Sequence, residues 1–157
     1  MLGIDIPIED LKTELVSEYP ACDVYGRIYR NKRGESTIPE FYSDDKQYEE
    51  VLQNDTKSGV IFFDIEPKRE EQSMTGKADV HICFLLDLEK LYPAEQRPTE
   101  LAHKDAREII RHSAFEIESL TTGITALEQF SVEDTDDMSP YYIFSFQTKV
   151  NYSLLNC

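Results

Sequence analysis

The fold of this chain is decided by residues 59–88, which have the sequence GVIFFDIEPKREEQSMTGKADVHICFLLDL. Segments 59–66 and 78–88 are rich in Ile, Val and Phe. They are too short, and too rich in β-branched and aromatic side chains, to favour helix. We therefore predict two long, adjacent antiparallel strands. Residues 66–77 between them are almost wholly polar and longer than a tight hairpin turn, so we expect an arm that projects into solvent or onto a partner.

The arm, residues 66–77, is the leading candidate for a functional segment, because long ordered loops are often functional. A mobile surface loop is the alternative. Lys68, Arg69 and Lys77 could pair with acidic surface on an identical copy, and this charge asymmetry favours head-to-tail rings. The candidate subunit-contact residues on the arm are Lys68, Arg69, Glu70, Glu71 and Lys77.

Two segments outside this stretch show helical patterns. Residues 7–18 place Pro7 where a first helical turn tolerates it, and an apolar stripe follows. Residues 98–119 form the longest helical pattern, because Pro98 can open a helix and an apolar stripe continues after it. That stripe comprises Leu101, Ala102, Ala106, Ile109, Ile110, Ala114 and Ile117. We expect this helix to lie across the central strands.

The remaining segments mostly predict strands. Residues 22–29 and 37–42 form two of them, and Pro39 places the second on a sheet edge. Residues 44–55 form a short helix or an ordered loop. A further strand is predicted in residues 124–134, and residues 141–152 alternate with a period of two, as a strand with one wetter face does. The chain is thus predicted to be a single α+β domain over residues 1–157, with a mostly antiparallel sheet and two main helices packed on one face.

Composition restricts the possible partners. The formal net charge is −15, with 16 basic residues against 31 acidic ones, so sequence-independent binding to nucleic-acid phosphates is not expected. The acidity indicates either plain solubility or a surface that meets a basic partner. Three widely separated cysteines without a C-x-x-C motif indicate neither a disulfide framework nor a zinc module. No apolar run approaches the ~20 residues of a membrane span, so we expect a protein of the cytosol or of a particle assembled there.

Candidate chemistry is sparse, and we predict no catalytic residue, no cofactor and no metal site. His81, His103 and His112 are interpreted as solvated or structurally satisfied side chains, and Cys83 as an inert core thiol. Residues 133–137 begin like a calcium loop but lack its glycine and its bidentate glutamate. Asp64 and Asp87, on the two central strands, are a weak candidate for a catalytic carboxylate pair.

The order of elements resembles the tail-terminator and tail-completion proteins of tailed bacteriophages. The resemblance rests on an N-terminal amphipathic helix, two long strands joined by a polar arm, a long helix, and the closing segment FSVEDTDDMSPYYIFSFQTKVNY at residues 130–152. It implies a non-enzymatic subunit of a virion ring, a hexamer or larger. Such a ring joins the tail to the neck, contacts other phage neck and tail proteins, and assembles in the host cytoplasm.

A protein of another class is the alternative. An acidic DNA mimic or inhibitor would occupy the basic nucleic-acid site of an enzyme, and the charge of −15 supports it. A mimic would be monomeric or dimeric and would bind in a salt-sensitive manner, whereas a ring subunit self-associates or sits in particles.

Overall fold

Two sheets and two main helices make up the part of the chain that the computed structural model describes, which is residues 3–42, 48–50, 58–65, 76–94, 96–127, 130 and 141–152. The elements in chain order are α1 (Asp5–Glu18), β1 (Asp23–Arg27), β2 (Tyr29–Arg33), β3 (Ser36–Tyr42), β4 (Tyr48–Glu50), β5 (Gly59–Ile65), β6 (Lys77–Leu86), α2 (Leu88–Leu91), α3 (Pro98–Arg111), β7 (Phe115–Thr122), a 3-10 turn (Ile124–Leu127) and β8 (Tyr142–Asn151).

The larger sheet has five strands in the order β1-β5-β6-β8-β7. The β1–β5 pair is parallel, and the other three pairs are antiparallel. Strands β2, β3 and β4 form a smaller antiparallel sheet. The predicted α+β class, with a mostly antiparallel sheet and two main helices on one face, is confirmed.

The central strand pair forms as predicted. β5 and β6 pair in antiparallel register from Gly59 opposite Leu86 to Ile65 opposite Val80. Every residue of β5 is buried, and β6 is buried without interruption from Ile82 to Leu86. Such continuous burial explains why both segments are apolar runs and not alternating ones, since a strand covered on both faces has no wet side.

One face of the larger sheet packs against the two main helices. Phe84 of β6 and Phe144 of β8 lie at its centre, where both side chains are fully buried and their rings stack with centroids 4.8 Å apart. The helices contribute a short apolar stripe each, formed by Ile8, Leu11 and Leu15 of α1 and by Ala102, Ala106 and Ile110 of α3. Small alanines on α3 allow the helix to approach the aromatic face of the sheet.

The opposite face of the larger sheet is covered as well. Phe62, Cys83 and Ile143 lie on this second face, and they pack with Ile28, Leu127 and Phe130. Tyr25 and Phe41 cover its margin, with ring centroids 4.6 Å apart. The smaller sheet is therefore attached on the side of the larger sheet that faces away from the helices.

The edge position expected for the strand with Pro39 is wrong. β3 is the middle strand of the smaller sheet, and Pro39 pairs with Arg30 of β2. Among the described residues, β4 pairs with Glu40 to Tyr42 of β3, and the described neighbour of Pro39 is Arg30 of β2.

The interpretation of residues 44–55 as a short helix or an ordered loop is also wrong where the structure describes them. Tyr48–Glu50 form β4 and extend the smaller sheet. Three apolar residues at helical spacing are weak evidence for a helix. Pairing with β3 favours a strand here instead.

The long helix is eight residues shorter than predicted and is followed directly by a strand. Ser113 ends α3, because its hydroxyl donates to the Ile110 carbonyl at 2.6 Å and accepts from the Phe115 amide at 3.1 Å. Phe115–Thr122 then form β7, which pairs with β8. The strand predicted in residues 124–134 is wrong at its described start, since Ile124–Leu127 form a 3-10 turn.

Truncating the stacked Phe84 should strongly destabilise the fold. We expect Phe84→Ala to lower the free energy of unfolding by about 3–5 kcal/mol, because it removes buried apolar surface and leaves a cavity. Urea denaturation followed by circular dichroism measures the change. The control is Val16→Ala at a side chain that is 49% exposed, where we expect a change within about 0.5 kcal/mol. Equal effects at the two positions would contradict this account of the core.

Candidate functional site

The arm is anchored at the end of the central strand pair. Of its candidate contact residues, Lys77 is the first residue of β6 and is exposed, whereas Lys68, Arg69, Glu70 and Glu71 lie outside the described residues. The Gly76 carbonyl accepts a hydrogen bond from the Tyr152 amide at 2.8 Å. Gly76 has φ +80°, and a Cβ there would meet the Tyr152 carbonyl oxygen at 2.7 Å, so this end of the arm requires glycine.

The weak catalytic pair of Asp64 and Asp87 is not brought together. Asp64 lies opposite His81, whereas Asp87 follows Leu86 and thus lies at the other end of the paired strands. At about 3.3 Å per residue, the separation along the strands is on the order of 20 Å. Asp87 instead accepts a hydrogen bond from the Lys90 amide and caps α2.

Asp64 forms a buried ion pair with Arg30. The guanidinium Nε and Nη2 atoms donate to the two carboxylate oxygens at 3.0 and 2.7 Å, and the Asp64 side chain is only 2% exposed. Arg30 also lies over the Phe130 ring, 5.9 Å from its centroid. A bidentate pair of this kind fixes orientation as well as charge, so it holds β2 in place on the second face of the larger sheet.

Cys83 lies in the core, as predicted from the sequence. It is fully buried, and burial with the nearby Asp64 carboxylate raises the pKa of its thiol far above the ordinary value. Its sulfur lies 3.6 Å from the Ser145 hydroxyl oxygen. Burial likewise raises the pKa of Cys22 to about 11. Neither thiol has the low pKa and access of a reactive cysteine.

The three histidines lie apart. His81 is half-buried on the second face of the larger sheet, and His112 is exposed at the end of α3, 3.6 Å from Glu108. His103 contacts the Tyr142 hydroxyl at 2.9 Å and packs edge-on against Phe144. Within the described residues, no three His, Cys, Asp or Glu side chains converge so as to hold a metal ion. Residues 133–137 lie outside those described.

An acidic groove runs between α1 and α3, and the sequence analysis missed it. We define it by five carboxylates, Asp10, Glu14, Glu18, Asp105 and Glu108, and by an apolar floor that includes Leu11, Tyr19, Leu91, Tyr92 and Ile109. Its volume is about 900 Å³. Its described lining residues include no Lys or Arg, but His112 also lines it, with its Nε2 atom 3.6 Å from a Glu108 carboxylate oxygen. The available signal was the four-residue spacing of Asp10, Glu14 and Glu18, which places them along one side of a helix.

Two tyrosines lie at the floor of the acidic groove. Tyr92 donates its hydroxyl proton to Asp105 at 2.7 Å, and burial together with this bond raises its pKa. Tyr19 is 5% exposed. Burial, and then the charge of Asp105, raises the pKa of Tyr19, while interaction with the Tyr92 hydroxyl lowers it. The Tyr19 hydroxyl nevertheless reaches no partner in hydrogen-bond geometry among the described residues.

Comparison with known proteins gives no relative: no family model, curated protein or solved structure matches this chain. None of the described helices combines the length and apolar character needed to cross a bilayer.

The Arg30–Asp64 pair should contribute strongly to stability. Arg30→Met leaves the Asp64 charge buried without its guanidinium partner, so we expect a loss of about 3 kcal/mol in the free energy of unfolding. Arg97→Met is the control, because Arg97 is 77% exposed in its pair with Glu100 and should contribute less than about 1 kcal/mol. Urea denaturation compares the two variants, and an equally small loss for Arg30→Met would refute the anchoring role.

His103 should make stability depend on pH. Burial, and then the charge of Arg107, lowers its pKa below 6.5. Above the unfolded-state pKa the imidazole is neutral in both states. As the pH falls below that value, the unfolded chain takes up the proton more readily, so stability declines. Between about pH 7.5 and 5.5, the unfolding midpoint of wild type should therefore fall further than that of His103→Gln. If the unfolding midpoints of wild type and His103→Gln fall by the same amount, folding does not change the pKa of His103.

Proposed function

We propose that this protein is a non-enzymatic structural subunit of a bacteriophage virion, and that it forms a tail-terminator or head–tail connector ring that joins the tail to the neck. The observation that carries the proposal is the position of the arm. It leaves from the end of β5 and returns into β6, the two central strands of the five-stranded sheet. A polar segment that starts and ends on such strands is held at both ends by the core, as a subunit-contact arm requires.

The charge distribution supports head-to-tail contacts. The arm carries three cations, Lys68, Arg69 and Lys77, which balance its three glutamates, whereas the acidic groove on the helix side carries five carboxylates. A heterologous interface joins two different surfaces of identical copies, and it closes into a ring when the rotation permits. An acidic ring would also suit DNA passage, because like charge repels the phosphate backbone.

Charge reversal on the arm should weaken self-association. We expect wild type to form rings, or to enter particles with neck and tail proteins, and Lys68→Glu/Arg69→Glu to do so at least about tenfold more weakly because charge complementarity is lost. Light scattering across protein concentration, with negative-stain imaging of the same samples, measures both.

The matched control for the arm is Arg97→Glu/Lys104→Glu, which reverses two exposed cations, one at the N-cap of α3 and one within it. It changes the net charge by the same amount and should leave assembly intact. Assembly that is insensitive to the arm charges would contradict their role. A chain that stays monomeric and never enters particles would refute the ring function itself.

The acidic groove also supports the second candidate, an acidic inhibitor of a basic nucleic-acid-binding enzyme. Five carboxylates around an apolar floor are suited to a cationic protein surface. Salt-sensitive binding to such an enzyme by a chain that does not form rings would favour this function.

A further inference from the structure

Strand β7 leaves one edge of the larger sheet open. It is the last strand in the order β1-β5-β6-β8-β7, so it pairs with β8 on one side and with no described strand on the other. An open groove of about 560 Å³ runs along this outer edge, and residues 113–120 all line it. The exposed main chain of an edge strand is a template for pairing with another strand.

The charges along this groove are mixed. Arg107 and Arg111 line it from α3, and Glu116 and Glu118 line it from β7. Net charge therefore does not select an occupant. Selection must come from strand pairing, which depends on the order of side chains along β7.

The side chains of β7 divide between the two faces of the larger sheet. Those on the helix-covered face are Phe115, Ile117, Leu120 and Thr122. Those on the second face are Glu116, Glu118, Ser119 and Thr121. Glu118 and Ser119 are neighbours on one face because β7 has a bulge there, with one residue more than β8 between Ile117 and Ser119.

The bulge restricts how β7 can pair with an identical strand. In an antiparallel pair, residues directly opposite each other must lie on the same face of the sheet. Two copies of β7 meet this condition along the whole strand in one register, in which Phe115 lies opposite Thr122 of the second copy and a two-fold axis passes between Glu118 and Ser119. A shift by one or two residues in either direction sets side chains of one face opposite those of the other.

The pairs formed in this register are chemically compatible. Ile117 lies opposite Leu120 of the second copy, and both side chains are half-buried in the single chain, so pairing would bury more of their apolar surface. Glu116 lies opposite Thr121 of the second copy. A carboxylate thus faces a hydroxyl donor, and cross-strand pairs of like charge, which destabilise a sheet, do not lie directly opposite each other.

The position next to the two-fold axis is compatible as well. Glu118 lies opposite Ser119 of the second copy. The Glu118 residues of the two copies are diagonal neighbours, but the Lys149 ammonium of each chain lies 3.3 Å from its own Glu118 carboxylate and offsets that charge. A bulge and glutamates are means by which edge strands avoid unselective pairing, and here they permit pairing in a single register.

We propose that the outer edge of β7 is the docking site for β7 of a second copy of this chain, and that the two larger sheets thereby become one continuous sheet across a two-fold axis. The inference goes beyond the proposed function. Ring contacts join two different surfaces of identical copies, whereas this contact joins the same edge of both. It does not use the arm.

Cysteine cross-linking tests the register directly. In the proposed pair, position 116 of one copy lies opposite position 121 of the other, with Cβ atoms about 5 Å apart. Identical positions of the two copies are separated by five residues, which is on the order of 16 Å. We therefore expect a mixture of Glu116→Cys and Thr121→Cys chains to form a disulfide-linked dimer under mild oxidation. Each variant alone, and wild type, should not.

A lysine placed at the contact should weaken association. We expect Leu120→Lys to lower the self-association constant at least about tenfold, because pairing would bury a charge next to Ile117 of the second copy. The matched control is Ile109→Lys, at another half-buried apolar position of the same core, which lies on α3. Sedimentation velocity on the full chain compares the two, and circular dichroism with the urea midpoint establishes that each variant is folded.

Salt should strengthen this contact. Each copy carries a net charge of −15, and salt screens the repulsion between copies while the main-chain hydrogen bonds and apolar pairs remain. A contact that depends on opposite charges, as proposed for the arm, would weaken instead.

The outcomes separate this inference from the proposed function. The cross-link in the mixed sample, with weaker association of Leu120→Lys than of Ile109→Lys, supports the β7 contact. Absence of the cross-link at the highest soluble concentration, or equal association of the two lysine variants, overturns it, and rings or particles that still form leave the ring function standing. A chain that cross-links through β7 but never forms rings or enters particles refutes the ring and retains this contact.

Discussion

Burial of the central strands on both faces is the constraint on which the rest of the structure depends. The side chains of β5 are all buried, and Ile82 to Leu86 of β6 are buried in succession. Other elements must therefore pack on each face, and a different set of elements packs on each of the two. Helices α1 and α3 cover the first face, while Ile28, the 3-10 turn and the smaller sheet cover the second. The molecule acquires two chemically distinct sides as a result.

The two sides carry their charges differently. The helix side presents the acidic groove, in which five carboxylates surround an apolar floor. The other side presents β2, whose Arg30 is neutralised by Asp64 inside the structure while Lys32 remains exposed. The hairpin of β2 and β3 also carries an exposed acid, Glu35, so its exposed charges are mixed, whereas those of the groove are mainly acidic.

The sequence was most informative where burial alone determines local structure. Continuous apolar runs identified β5 and β6, and a clear apolar stripe identified α1 and the start of α3. It was least informative where two patterns overlap. Ala114 and Ile117 extend the helical stripe of α3, yet the local bonds of Ser113 end the helix and Phe115 begins a strand. Tertiary pairing with β8 decided between two locally acceptable conformations.

The candidate surfaces were predictable only in part, because a surface is formed by segments that are distant in sequence. The arm was visible as one contiguous polar segment, although the structure describes only its Gly76 and Lys77. The acidic groove needs α1 and α3 side by side, and the Arg30–Asp64 pair joins residues 34 positions apart. Asp64 and Asp87 show that residues on adjacent strands can also be far apart, since they lie at opposite ends of the paired strands β5 and β6. Single-sequence patterns carry no information on such pairings.

The position of β8 between β6 and β7 bears on how the chain folds during synthesis. In chain order β8 is the last of the five strands in the larger sheet, yet it occupies an interior position and pairs on both sides. Until it leaves the ribosome, β6 keeps an open apolar edge and β7 has no partner in that sheet. Nascent chains that stall before β8 would therefore expose an edge that recruits other strands, so this topology links complete translation to protection from aggregation.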